Sequence, residues 1–204
     1  MPKIGIQFFA AKHGNEIPTI DVALVTVTPS GGGQEIGFTT ASKVQVSPQT
    51  ESQDAKKLIV KGVLLAQKPP VVTITGNTIT LTDNVLIPEL LVILQGGTIT
   101  YKTPSNPASG VSQYKPPAAG STAEVKPFSL NLYSAIYNAA GEITGYEKIT
   151  YPNCKGTPWS PGSEDDTWRV AEYTINSAPN TGESPYTIEY VDDLPEVGEV
   201  GASG

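Results

Sequence analysis

Residues 71–97, VVTITGNTITLTDNVLIPELLVILQGG, decide how the chain is read. The first twelve alternate apolar residues with threonine on either side of Gly76-Asn77, and a two-residue loop with glycine first fits a type II′ hairpin turn. That register pairs Thr75 with Thr78, Ile74 with Ile79 and Val72 with Leu81. One face is then apolar (Val72, Ile74, Ile79, Leu81) and the other threonine. The remainder, from Asp83 to Gly97, carries helix punctuation at both ends. Pro88 suits a first helical turn, where its missing N–H has no intrahelical partner. Glu89 follows at the positive end of the dipole, and Gln95-Gly96-Gly97 supplies residues able to close a helix in the left-handed conformation. Leu90-Leu91-Val92-Ile93-Leu94 is also compatible with a buried strand, because an unbroken apolar run does not separate the two. The end signals favour a helix over about residues 86–95. Such a helix needs cover from a sheet on one side and from something further on the other.

Working outward, residues 21–28 form a β-branched strand stopped by Pro29-Ser30-Gly31-Gly32-Gly33. Residues 43–46 alternate and then meet Pro48, and residues 56–66 read as one long strand ending before Pro69-Pro70. Downstream, residues 98–101 resume strand, and residues 104–126, rich in Pro, Gly, Ser and Ala, read as one long exposed loop. Phe128, Leu130, Leu132 and Ile136 share one strand face, with Ser129, Asn131, Tyr133 and Tyr137 on the other. Asn138-Ala139-Ala140-Gly141 turns the chain into residues 142–151, and further strands span 168–176 and 185–191, the last placing Tyr186, Ile188 and Tyr190 together. The expected fold is all-β, a β-sandwich or half-barrel with one short helix and long loops. Residues 20–195 make one domain, residues 1–19 an N-terminal arm and residues 196–204 a fraying tail.

Composition agrees with many short strands: the 204 residues include 20 Gly and 18 Pro, and only 16% are charged. The net charge of −7 is unevenly spread. Residues 1–123 hold nine Lys against seven Asp or Glu, whereas residues 124–204 hold four basic and thirteen acidic residues. A nucleic-acid reader shows a basic patch, so this second half is built to avoid phosphates. Cys154 is the sole cysteine, which excludes an intrachain disulfide and a cysteine metal site. No apolar run is long enough to span a membrane, and the first eleven residues are too broken for a signal peptide, pointing to folding in a reducing cytoplasm.

Candidate chemistry is sparse. His13 is the only histidine and sits in a Lys-His-Gly-Asn surface turn, a poor setting for a general base. Gly31-Gly32-Gly33 lacks the Gly-Lys-Ser/Thr of a phosphate cradle. Glu164, Asp165 and Asp166 offer carboxylates to a calcium ion, but without EF-hand spacing they read as a solvated acidic turn. Trp168, at the head of a strand, reads first as core; with Trp159 it is alternatively a sugar-stacking platform. The expectation is no enzyme: no catalytic residue, no cofactor and no metal.

The phrases Ser42–Ser52, Gly76–Asn84, Pro88–Gly97, Tyr146–Gly156 and Tyr173–Pro179 resemble major tail proteins, the tail tube proteins of phages and prophages of Gram-positive bacteria. The likeness runs over roughly residues 38–195. It implies a β-sandwich or half-barrel flanked by one helix, assembling into hexameric rings that stack into a tube for genome delivery. In that family an inner sheet from each subunit lines the channel, and loops with an N-terminal arm bind the adjacent ring. The implied partners are further copies of the chain, then tape-measure, tail-terminator and baseplate or distal tail proteins. DNA is passing cargo, membranes are not entered, and the setting is the virion after assembly in the host cytoplasm. On this basis Ile6, Phe8, Phe9, Leu90, Leu91 and Leu94 are candidate subunit-interface residues, and Glu164, Asp165 and Asp166 a candidate acidic loop or lumen surface. The alternative from the residues alone is a monomeric carbohydrate-binding or adhesion module.

Overall fold

The computed structural model describes residues 17–32, 35–104, 106–121 and 125–196. Twelve strands and one helix follow in chain order: β1 Thr19–Pro29, β2 Ile36–Phe38, β3 Ala41–Gln53, β4 Lys56–Val60, β5 Val63–Lys68, β6 Val71–Asp83, α1 Pro88–Gln95, β7 Thr98–Thr103, β8 Asn106–Lys115, β9 Phe128–Tyr137, β10 Ile143–Gly156, β11 Ala171–Ser177 and β12 Thr187–Val191. The main sheet runs β2-β1-β9-β10-β11-β6-β3, all neighbours antiparallel. Strand β10 turns the corner. Its first part, Tyr146–Thr150, pairs with β12, while Cys154–Gly156 pair with β11. Between them Asn153 takes φ 46° and donates from Nδ2 to the Ala178 carbonyl at 2.6 Å. Val25, Val27 and Leu130 on one side of this bend meet Ile79, Leu81, Tyr173 and Ile175 on the other, giving the expected all-β half-barrel.

The helix closes this core. Pro88 opens it, Glu89 lies in its first turn, and Gly96 ends it as the end signals implied, donating its N–H to Val92 O, but at φ 80° and ψ −163°, a glycine conformation other than the left-handed helical one expected. Leu90, Leu91 and Leu94 are all fully buried. A Cβ on Gly156 would lie 2.5 Å from the Leu94 Cβ and carbonyl oxygen, so β10 carries glycine where the helix backbone rests on it. Tyr114 holds the helix end from the other side, donating its hydroxyl to Gly96 O at 2.7 Å and accepting from Gln95 Nε2 at 2.9 Å.

Four sequence expectations are corrected. Gly76-Asn77 is not a turn, and β6 runs straight through it. Gly76 is required there because a Cβ would come within 2.4 Å of the Ser177 carbonyl oxygen. The ladder with β3 passes from Gln49↔Gly76 to Thr50↔Ile74, so Thr75 is a bulge. That bulge keeps Val72 and Ile74 on the same face as Ile79 and Leu81, as expected, but along one strand instead of across two. Residues 56–66 do contain a turn: Lys61 (φ 48°) and Gly62 (φ 82°) form a two-residue loop of the type I′ kind between Val60 and Val63. Strand β3 extends past Pro48, because it is the outermost strand of its sheet and a missing N–H there can face away from β6. Finally, much of residues 104–126 is strand β8, paired with β7 through the backbone and through Ser109, whose Oγ accepts the Thr103 N–H at 2.9 Å.

Candidate functional site

Because β3 pairs with β6 up to Gln53↔Val71 and β4 pairs with β5 from Lys56↔Lys68 to Val60↔Val63, residues 41–83 form one long hairpin. Only its base belongs to the body. Strand β11 accompanies β6 from Asp83 to Asn77 and no further. From Gly76 to Gly62 the ribbon continues for fourteen residues, roughly 45 Å of extended chain. Within that length the apolar stripe begun by Ile79 and Leu81 carries on as Ile74 and Val72, the latter 63% exposed. Beyond it Leu58, Ile59, Val60, Val63, Leu64 and Leu65 are all exposed. Paired residues share a face, so Leu58, Val60 and Val63 lie on one side and Ile59 and Leu64 on the other. A two-stranded ribbon is marginal in water by itself, and an exposed apolar patch of this extent marks a contact surface.

At the opposite end of β6, Asp83 pairs with Ala171, and the segment leading into Ala171 forms an open cleft of about 630 Å³. Trp159, Glu164, Trp168, Arg169 and Glu172 are among its walls. Trp159 is half-buried against the core, with Gln95 Oε1 accepting its backbone N–H at 2.7 Å. The Arg169 guanidinium lies 5.3 Å from the centroid of the same indole. Trp168 departs from the core expectation: it is 93% exposed. Strand β11 begins only at Ala171, so Trp168 belongs to the loop before the sheet. Glu164, Asp165 and Asp166 are exposed beside it.

Strand β12 offers a third surface, with Tyr186, Ile188 and Tyr190 exposed. It is held by the Lys148–Glu189 ion pair at 2.9 Å, which raises the Lys148 pKa chiefly through that hydrogen bond. The pair is solvent-accessible and contributes little to stability. Tyr186 also packs at 6.1 Å, centroid to centroid, on Tyr151, whose phenol burial pushes up to about 12.

The structure separates the other sequence candidates. Leu90, Leu91 and Leu94 lie in the chain's own core, whereas Val92 and Ile93 are half-buried and line an open cleft of about 540 Å³ with Lys115 and Pro116. Ile6, Phe8, Phe9 and His13 lie outside the described residues. Among the described residues no group of three His, Cys, Asp or Glu could hold a metal, and no helix is long and apolar enough to cross a membrane. Sequence reasoning missed the hairpin tip, although Lys61-Gly62 between two apolar runs was its signal.

Cys154 is fully buried, and burial pushes its thiol up to about 11. At pH 8 roughly one molecule in a thousand then carries a thiolate. Iodoacetamide is expected to leave the native protein unlabelled at that pH and to label it fully in urea; rapid native labelling would show an accessible thiol.

No family model and no curated protein matches the sequence. Among solved structures the chain is similar to one in the anti-feeding prophage (AFP) baseplate, with 11% identity over 86% of this chain and 93% of that one and a TM-score of 0.35. It is also similar to one in the AFP tube-terminating cap, with 15% identity, 92% and 95% coverage and a TM-score of 0.38. A third is in the sheath-tube complex of PVC, an extracellular contractile injection system, in its extended state, with 17% identity, 88% and 95% coverage and a TM-score of 0.37. Overlaps this loose leave the chain's own surfaces as the ground for its function.

Proposed function

We propose that the chain is a structural subunit of a phage tail tube, assembling with its own copies into stacked, six-membered rings around a channel for the genome. It acts by assembly and passive conduction, with no catalytic step, cofactor or metal. The observation that carries this reading is the protruding hairpin, apolar on both faces of its tip and without cover from the described residues of its own chain. Hydrophobic surface of that kind is stabilised only when another protein surface removes it from water. The exposed aromatic face of β12 adds a second place for lateral contact, where neighbouring sheets can join into a continuous lining. The acidic second half suits a channel for DNA, since like charge disfavours phosphate contact over a Debye length of about 8–10 Å.

The second reading, a monomeric carbohydrate-binding module, draws on the exposed Trp168 in its cleft with Glu164, Arg169 and Glu172. Electron microscopy of the purified full chain at high concentration separates the two. Rings or hollow tubes are expected. A strictly monomeric protein that binds saccharide would replace the tube reading with the module.

A further inference from the structure

We propose that the tip of the β4–β5 hairpin docks in the cleft at residues 159–172 of a second copy, so that copies add head to tail along the direction of β6. This rests on the tube reading for its occupant, and identifies which two surfaces meet. The first ground is direction. Strand β6 has the cleft at its Asp83 end, through the pair with Ala171, and the hairpin tip beyond its Val71 end. The two surfaces therefore point away from each other within one molecule. Moving a second copy along the strand axis brings them together, and the contact repeats without closing, as heterologous contacts do.

The second ground is charge. Residues 56–68 contain Lys56, Lys57, Lys61 and Lys68 and no carboxylate. Residues 159–172 carry Glu164, Asp165, Asp166 and Glu172, all exposed, against one cation, Arg169, which already faces the Trp159 ring; the exposed Lys43, opposite Thr82 on β3, lies at the same end of β6. Such complementarity steers encounter and fixes which surfaces join. The third ground is shape and apolar area. A ribbon apolar on both sides is covered on both only by insertion between walls, and a flat face would leave one side wet. The acidic end presents a cleft, with Trp168 and Val170 exposed at its walls. Trp168 at such a site supplies a large contact area at small entropic cost.

The test places cysteines at Lys57→Cys and Asp165→Cys together in the full chain, both at exposed positions, with the buried Cys154 left in place. Assembled protein is treated with a short bis-maleimide, run on a denaturing gel, and viewed by electron microscopy from the same tube. The expected result is a ladder of covalent dimers, trimers and higher species from the double variant, with monomer from either single variant. Tubes without a ladder would overturn this docking while the tube reading stands. Covalent species that stop at the dimer overturn it too, because the contact would then be self-complementary. A monomer that forms neither rings nor tubes overturns both.

Discussion

Leu94→Glu is expected to unfold the monomer. Leu94 is 1% exposed and lies where the helix backbone meets Gly156 on β10, with no space for a carboxylate to reach water by a small shift. Removing a buried leucine side chain to alanine typically costs about 2–5 kcal/mol. Burying an unpaired carboxylate in its place costs more, unless the group is protonated or the helix leaves the sheet. A domain's total stability is only about 5–15 kcal/mol, so loss of the cooperative urea transition and of the native circular dichroism is the anticipated outcome. Ile93→Glu, on the half-buried outer side of the same helix, serves as the contrast and is expected to retain its transition. A Leu94→Glu protein that melts like its parent would show that the helix does not close the core.

Ile59→Glu combined with Leu64→Glu is expected to do the reverse, leaving the monomer intact and abolishing assembly. The two residues face each other across the β4–β5 ladder, both exposed and beyond the reach of the main sheet. Surface substitutions away from packed features usually change stability by no more than about 0.5 kcal/mol, so the urea midpoint should move little. In the docking proposed for the hairpin tip, assembly buries that pair, and two carboxylates would have to enter an acidic, apolar cleft. Sedimentation and electron microscopy should find only small species where the parent gives rings or tubes. Wild-type tube formation by this double variant would remove the hairpin from the assembly contact.

The sequence carried the fold where local chemistry and burial agree. Pro88, Glu89 and Gly96 marked the helix because each acts within one turn of itself, β1 was visible as a β-branched run, and β9 as apolar alternation. The errors fell where a distant backbone decides the outcome. Gly76 looked like a turn residue, and only the nearby Ser177 carbonyl explains it as a close-approach residue in a strand. Strand β8 has little apolar signal, since it is held to β7 by backbone pairing and by the Ser109 hydroxyl, which accepts the Thr103 N–H. The three leucines of α1 were assigned to an interface because their spacing could not tell the chain's own core from a neighbour's. For the surfaces, the charge asymmetry was legible as residue counts, but its arrangement at opposite ends of one strand became visible only with the register of β6.

Lys56, Lys57, Lys61 and Lys68 have one more effect. A ribbon with unsatisfied backbone edges and apolar side chains on both faces is a template for unwanted pairing with a like ribbon, the route by which strand-rich proteins precipitate. Four positive charges within thirteen residues, with no carboxylate among them, make two such ribbons repel. The same lysines that would guide the tip toward acid thus set two free copies of the chain against sticking ribbon to ribbon.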